Sequence, residues 1–252
     1  MRRRMGSSRI AAWRGLALMA GILIGGRIAG IAATQDAAVD PFTGMRLRMV
    51  EDQIERRGVR DPRVLEAMRT VPRHLFVPEA LRDRAYDDAP LPIGEEQTIS
   101  QPYIVAFMTE AAHLKPGDRV LEVGTGSGYQ AAVLSSVGAE VMSIEILPGL
   151  AERARQALAA AGFAKVAVRT GDGFRGWPEA APFDAVLVTA APDEVPPPLL
   201  GQLKVGGVLV IPVGTGTQEL IRVTRTARGY ERESLLPVRF VPMTGEARGP
   251  RH

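Results

Sequence analysis

Apolar and polar positions in the second half of the chain fall into two alternating rhythms. Short apolar runs, Arg119–Val123, Glu140–Ile146, Lys165–Thr170, Phe183–Thr189 and Val208–Val213, read as strands. The longer segments between them, Gln130–Val137, Pro148–Ala161 (stopped by Gly162) and Pro196–Leu203, read as helices. Phe183–Thr189 is nearly all apolar, so it is expected at the centre of a sheet with both faces buried. Glu219–Thr226 and Leu235–Val241 alternate with period two, as antiparallel strands do. Strand and helix in turn, closed by a hairpin, predict an α/β fold. The expected architecture is a doubly wound, mostly parallel sheet with an antiparallel edge hairpin.

The first half is patterned differently. Leu47, Val50 and Ile54 form an apolar stripe over Met45–Arg57, which predicts an amphipathic helix capped by Gly58. Asp61-Pro62 reads as N-cap and first residue of a short helix through Met68. Four prolines, Pro72, Pro78, Pro90 and Pro92, predict loops and short turns over Val71–Gln97. After Pro102 a helix is expected over Tyr103–His113, with Ile104, Phe107, Met108 and Ala111 on its apolar face. The expected organisation is one domain over 44–243, with a helical and substrate-loop part (44–114) and a sheet part (115–243), followed by a tail (244–252).

Residues 1–33 have a basic start, an apolar run from Gly15 to Gly26 and small residues at Ala29–Ala33, the layout of a secretory signal or membrane tether. The run is short for a membrane span. The alternative is an upstream extension, with Met45 or Met49 the true start. Segment 34–43 reads as a polar linker either way.

Charge changes one conclusion. The chain of 252 residues carries a net +3, but Arg2, Arg3, Arg4, Arg9, Arg14 and Arg27 all precede the first acidic residue, Asp36. The remainder is left at about −3, which removes the main argument for nucleic-acid binding. There are no cysteines, and no spaced cluster of His, Asp and Glu, so no metal is expected. His74, among apolar neighbours, reads as a structural histidine, and His113 as the end of a helix. Arg222, Arg225, Arg228 and Arg232 read as the solvated face of the hairpin.

The candidate chemistry begins at RVLEVGTGSGY, Arg119–Tyr129, where a strand runs through three glycines into a helix. Such a turn binds nucleotide-like ligands, because backbone N–H groups and the helix N-terminus are open to them. The spacing Gly124-x-Gly126-x-Gly128 differs from the dinucleotide G-x-G-x-x-G, and no lysine follows as in a phosphate-binding loop. Glu122 beside the turn would repel a pyrophosphate and attract an ammonium or sulfonium. Glu145, at the end of the second strand, is placed to take two ribose hydroxyls, and Asp172, in Gly171-Asp172-Gly173, to meet an adenine edge. Acidic residues at three successive strand ends make this a class I methyltransferase pattern with S-adenosylmethionine as cofactor. Glu122, Gly124, Gly126, Gly128, Glu145, Asp172 and Gly173 are the expected cofactor-binding residues.

The methyl acceptor is expected at LPIGEEQTISQPY, Leu91–Tyr103. Together with RMVEDQIERRG, VPRHLFVPE, AYDDAPLPIGEEQTISQPYIVAFM, VLEVGTGSGYQAAVL, GDGFRGWPEAAPFDAVLVTAAP and PVRFVPM, this stretch resembles the protein-L-isoaspartate (D-aspartate) O-methyltransferase family over roughly residues 45–243. The resemblance implies methyl transfer to the free carboxylate of L-isoaspartyl and D-aspartyl residues in damaged peptides and proteins. It also implies a Rossmann-like fold, and the ester then returns through a succinimide towards aspartate. The family's active-site serine falls on Ser100, which would orient the acceptor carboxylate; the bland alternative is that Ser100 caps the helix after Pro102. Thr98, Ile99 and Gln101 would be its substrate-binding neighbours. A carboxylate acceptor is already ionised at neutral pH and needs no general base, which suits a chain with three histidines.

Two further readings of the residues stay open. One is a methyltransferase with a small-molecule acceptor, the other a non-catalytic cofactor-binding module. Family habit and cofactor supply place the enzyme in the cytoplasm as a monomer, whereas the 1–33 leader points to export or tethering.

Overall fold

The computed structural model describes residues 40–248; expectations for the leader and for the linker up to residue 39 lie outside them. Among the described residues no helix is long and apolar enough to cross a membrane. Residues 40–43 are anchored rather than free. Asp40 accepts from Phe42 N at 3.0 Å and from Arg46 Nη1 at 2.9 Å, at the start of α1 (Thr43–Arg48).

The stripe over Met45–Arg57 folds into three windings instead of one helix. α1 widens into a π-helical stretch, Met49–Ile54, then tightens to a 3-10 turn, Glu55–Arg57, which ends at Gly58. Widening the turn narrows the arc over which Met49, Val50 and Ile54 project, and all three are buried. α2 (Pro62–Thr70) starts as expected, with Asp61 accepting from Arg63 N at 2.8 Å and proline in its first turn.

Val71–Gln97 is more ordered than its prolines predict. Two 3-10 turns, Arg73–Phe76 and Glu79–Arg84, lead into β1 (Leu91–Gly94), which pairs antiparallel with β2 (Gln97–Ile99). Pro92 lies within β1 because an isolated two-stranded ribbon is all edge and tolerates a missing donor. α3 (Pro102–Ala111) follows.

The main sheet has seven strands. In chain order they are β3 (Arg119–Val123), β4 (Glu140–Glu145), β5 (Ala167–Thr170), β6 (Phe183–Val188), β7 (Leu203–Val213), β8 (Gln218–Thr226) and β9 (Gly229–Val238). Their spatial order is β5-β4-β3-β6-β7-β8-β9, parallel through β7 and antiparallel beyond it. This is the predicted doubly wound sheet with its edge hairpin. α4 (Tyr129–Ser136), α5 (Pro148–Ala160) and α6 (Pro197–Gly201) connect the parallel strands. Side chains alternate between two cores. Val120, Val141, Leu187 and Val210 pack on the face that carries the N-terminal helices, and Leu121, Ile144, Val186 and Ile211 on the opposite face.

Three boundaries at the C-terminal end differ from the sequence reading. The helix expected over Pro196–Leu203 stops at Gly201, and Leu203 already belongs to β7, opposite Phe183. β9 spans Gly229–Val238 and not Leu235–Val241. Its first six residues are exposed, so they carry no apolar alternation to read. The arginines of the hairpin are not one solvated face. Arg222 pairs with Glu233, contacts His113 and donates to the Ala111 carbonyl at 3.4 Å, and Arg225 donates to the Gly201 carbonyl at 3.4 Å. Only Arg228 and Arg232 are exposed as expected. The segment read as a tail after residue 243 packs back: a 3-10 turn, Gly245–Arg248, brings Glu246 N to 2.8 Å from Asp172 Oδ2.

Candidate active site

From β3 the chain goes outward to β4 and β5, then returns to β6 on the other side of β3. That reversal opens a crevice at the carboxyl ends of β3 and β6, the usual ligand position in a doubly wound sheet. The glycine loop sits there. Gly124 has φ 97°, and a Cβ on it would lie 2.4 Å from Thr189 Oγ1. Thr189, just past β6, donates from that hydroxyl to the Gly124 carbonyl at 2.5 Å and so ties the two strand ends together across the crevice. Gly128, φ 91°, caps α4 where a Cβ would press on Leu158 at 3.0 Å.

Glu145 ends β4 at the edge of the loop. Its Oε2 accepts from Gly126 N at 2.8 Å and its Oε1 from Leu147 N at 3.1 Å. These bonds hold the carboxylate at the cavity wall, with lone pairs left for two ligand hydroxyls. The cavity, about 370 Å³, runs from Glu145 and the glycine loop to the β1–β2 hairpin and Ser100. It falls within the range typical of small-ligand sites. Among the described residues no lysine, arginine or histidine lines it, whereas Glu95, Glu96 and Glu145 do, Glu95 being paired with Arg153 at 2.7 Å. That charge suits a cationic ligand.

The remaining expected residues divide between the cavity and its support. Gly124, Gly126, Glu145 and Gly173 line the cavity, while Gly128 lies behind the loop. Glu122 is fully buried beneath the loop and does not reach the cavity. Its Oε2 accepts from the Ser143 hydroxyl, which also meets Thr125 Oγ1 at 2.5 Å, and its Oε1 has no partner among the described residues. Burial pushes the Glu122 carboxyl up to about 8; the charge of Glu145 adds to the rise and the Ser143 bond opposes it. Glu122 therefore supports the loop as a neutral group at neutral pH. Asp172 does not line the cavity either. Its Oδ1 accepts from Phe174 N at 2.9 Å and its Oδ2 from Glu246 N, which leaves the adjacent Gly173 facing the site.

At the other end, Thr98, Ile99 and Ser100 line the cavity, and Thr98 and Ser100 also line a second hollow that Gln101 enters. The Gln101 amide is held by Asp88 Oδ1 at 2.7 Å. Ser100 does not cap α3, whose N-cap is Gln101 with no side-chain bond. His74 is structural: its Nδ1 meets the Tyr86 hydroxyl at 2.8 Å and its ring stacks on Phe42.

Sequence reasoning missed Thr189, Thr125, Glu95 and Glu96, and the stretch Val241–Thr244, all of which line the cavity. Thr189 and Thr125 carry a faint signal, as polar residues beside buried strands. Glu95 and Glu96 fall within the expected acceptor stretch Leu91–Tyr103, but no pattern singles them out there, because their place depends on two left-handed residues, φ 52° and 58°, turning the β1–β2 hairpin over the site.

A glycine turn at the switch point, a carboxylate on the neighbouring strand end and an acidic cavity define an S-adenosylmethionine-dependent methyltransferase of class I. The profile of the family described as protein-L-isoaspartate(D-aspartate) O-methyltransferase matches residues 45–248. A protein-L-isoaspartate O-methyltransferase of Synechococcus sp. (strain JA-2-3B'a(2-13)) is 60% identical over 214 residues, 82% of this chain and 88% of the relative. One of Gloeobacter violaceus is 56% identical over 79% of this chain and 98% of its own length. Among solved structures, a Plasmodium falciparum protein titled a putative protein-L-isoaspartate O-methyltransferase, in complex with S-adenosyl-L-homocysteine, superposes with TM-score 0.70 at 26% identity. That match covers 79% of this chain and 98% of the other. The chain belongs to the protein-L-isoaspartate(D-aspartate) O-methyltransferase family.

Proposed function

We infer that this enzyme transfers a methyl group from S-adenosylmethionine to the free carboxylate of L-isoaspartyl and D-aspartyl residues in damaged proteins, the first step of their repair. The observation that carries the reading is one continuous cavity with two chemically distinct ends: the glycine loop with Glu145 at one, Thr98–Ser100 at the other. When bound, S-adenosylmethionine supplies an electrophilic methyl group on a sulfonium. Gly124, Gly126 and Gly173 would let it approach the main chain, and Glu145 would take its ribose hydroxyls.

At the acceptor end the chain has no proton to remove, since a carboxylate is ionised at neutral pH. The lining, which among the described residues contains no histidine or lysine, matches that chemistry. Ser100 would donate its hydroxyl to one oxygen of the acceptor and aim the other along the cavity, with Thr98 and the main chain of Ile99 beside it. Alignment of this kind can supply on the order of 7–11 kcal/mol of a barrier. The enzyme would act as a monomer, in the compartment where its cofactor is made, the cytoplasm. Cell fractionation with N-terminal sequencing of the mature chain tests that placement: a start near Thr34 would mean export, and a start at Met45 that the leader is not translated.

Incubation with cofactor labelled in its methyl group and an isoaspartyl peptide should give a base-labile methyl ester, while the aspartyl twin stays unlabelled. Cofactor binding without labelling of either peptide would overturn the reading.

A further inference from the structure

Arg73 is fully buried, and among the described residues it forms no salt bridge with a carboxylate. Its Nε donates to the Ala85 carbonyl at 2.7 Å and its Nη2 to the Ser100 carbonyl at 2.7 Å. The guanidinium carbon stands 4.8 Å from the centre of the Tyr129 ring, and Nη1 has no hydrogen-bond partner among the described residues. Burying an unpaired cation costs several kcal/mol, and an apolar side chain of similar size would fill the space more cheaply. Stability therefore does not account for an arginine here.

Its three contacts do. Ser100 is the acceptor end of the cavity. Tyr129 lines the same cavity and is the first residue of α4, directly after Gly128 of the donor loop. Ala85 lies in the turn after the 3-10 segment Glu79–Arg84, outside both. The planar fork of a guanidinium can grip two carbonyls at fixed angles while its face rests on an aromatic ring, and no other side chain offers all three.

We propose that Arg73 is a positioning residue for methyl transfer, its buried guanidinium pinning the Ser100 main chain to Tyr129 so that acceptor loop and donor loop keep one separation. The inference rests on the proposed reaction and on the acceptor role of Ser100: wild-type turnover of the isoaspartyl peptide tests the reaction, and Ser100→Ala alone tests the role, each separately and first. Reaction along a line is sensitive to spacing: a displacement of about 1 Å can cost on the order of 100-fold in rate.

Arg73→Lys keeps the charge and loses the fork. At a temperature well below its melting point, per folded molecule, kcat for the isoaspartyl peptide should fall roughly tenfold or more. The dissociation constant for S-adenosylhomocysteine, read by calorimetry, should stay within about twofold, as uniform cofactor binding is untouched. In the Ser100→Ala background the same substitution should cost much less, because the hydroxyl that the clamp positions is gone while the gripped carbonyl remains. Wild-type turnover in Arg73→Lys, a parallel loss of cofactor affinity, or full additivity with Ser100→Ala would each overturn the proposal. The wild-type chain tests it without any variant. The Arg73 Nε–H and Nη–H protons, held by the Ala85 and Ser100 carbonyls, should exchange with water far more slowly than those of the exposed Arg228. Equally fast exchange would mean no clamp exists.

Discussion

Glu122→Gln tests how the glycine loop is supported. In the folded chain burial raises the Glu122 carboxyl from its ordinary 4.5 to about 8, so between those pH values the folded state holds a proton that the unfolded state has released. The sign follows from linkage: stability is complete below about 4.5 and falls as pH rises through about 8. At about 1.4 kcal/mol per pH unit, the span from 4.5 to about 8 amounts to about 5 kcal/mol. Local relaxation around a newly charged carboxylate would reduce this to a few kcal/mol. Glutamine has the same shape, can still accept from Ser143 and does not titrate. Urea unfolding of the cofactor-free protein at pH 5 and pH 8 should therefore show the variant gaining a few kcal/mol on the wild type at the higher pH. Other titrating groups cancel in the difference. Equal pH dependence in the two proteins, to about 1 kcal/mol, would show that Glu122 is ionised in the fold and that the neutral-support reading is mistaken.

Ser100→Ala should lower kcat for the isoaspartyl peptide by roughly 10- to 100-fold, the worth of one hydrogen bond to a charged group, with S-adenosylhomocysteine affinity nearly unchanged. A large loss of that affinity in a binding titration would put Ser100 in the cofactor site. Glu145→Ala should show the reverse division, with cofactor affinity down by roughly 10- to 100-fold and the loop amides of Gly126 and Leu147 exchanging faster. Gly124→Ala places a Cβ 2.4 Å from Thr189 Oγ1 at a positive φ, so cofactor binding should weaken by more than about tenfold. Gly124→Ala combined with Thr189→Ala should regain part of that loss, and no recovery would mean that the backbone angle, not the contact, decides it.

Much of this protein was legible along the chain because its interactions are local. A strand, a glycine turn and a helix start form one continuous stretch, so Gly124, Gly126 and Gly128 announce a donor loop by spacing alone. Asp61-Pro62 announces a helix for the same reason: the cap bonds an N–H two residues on. The solvated edge was harder. Gly229–Ser234 is exposed throughout, so its strand depends on pairing with β8 and leaves no apolar rhythm.

What residues do at a distance was decided only by the tertiary structure. Glu122 and Asp172 look in the sequence like ligands for the cofactor, and the fold turns one inward beneath the loop and engages the other with the main chain of Glu246. Thr189 reaches the Gly124 carbonyl from 65 residues away, and Arg73 reaches Ser100 across 27. The sequence by itself determined the order of strands and helices from Arg119 onward, the glycine loop and the family, since each is written in neighbouring residues. Which carboxylate faces the cavity, and what holds the acceptor loop against the donor loop, were settled by packing. A side chain's exposure and charge depend on neighbours that only the folded chain brings near.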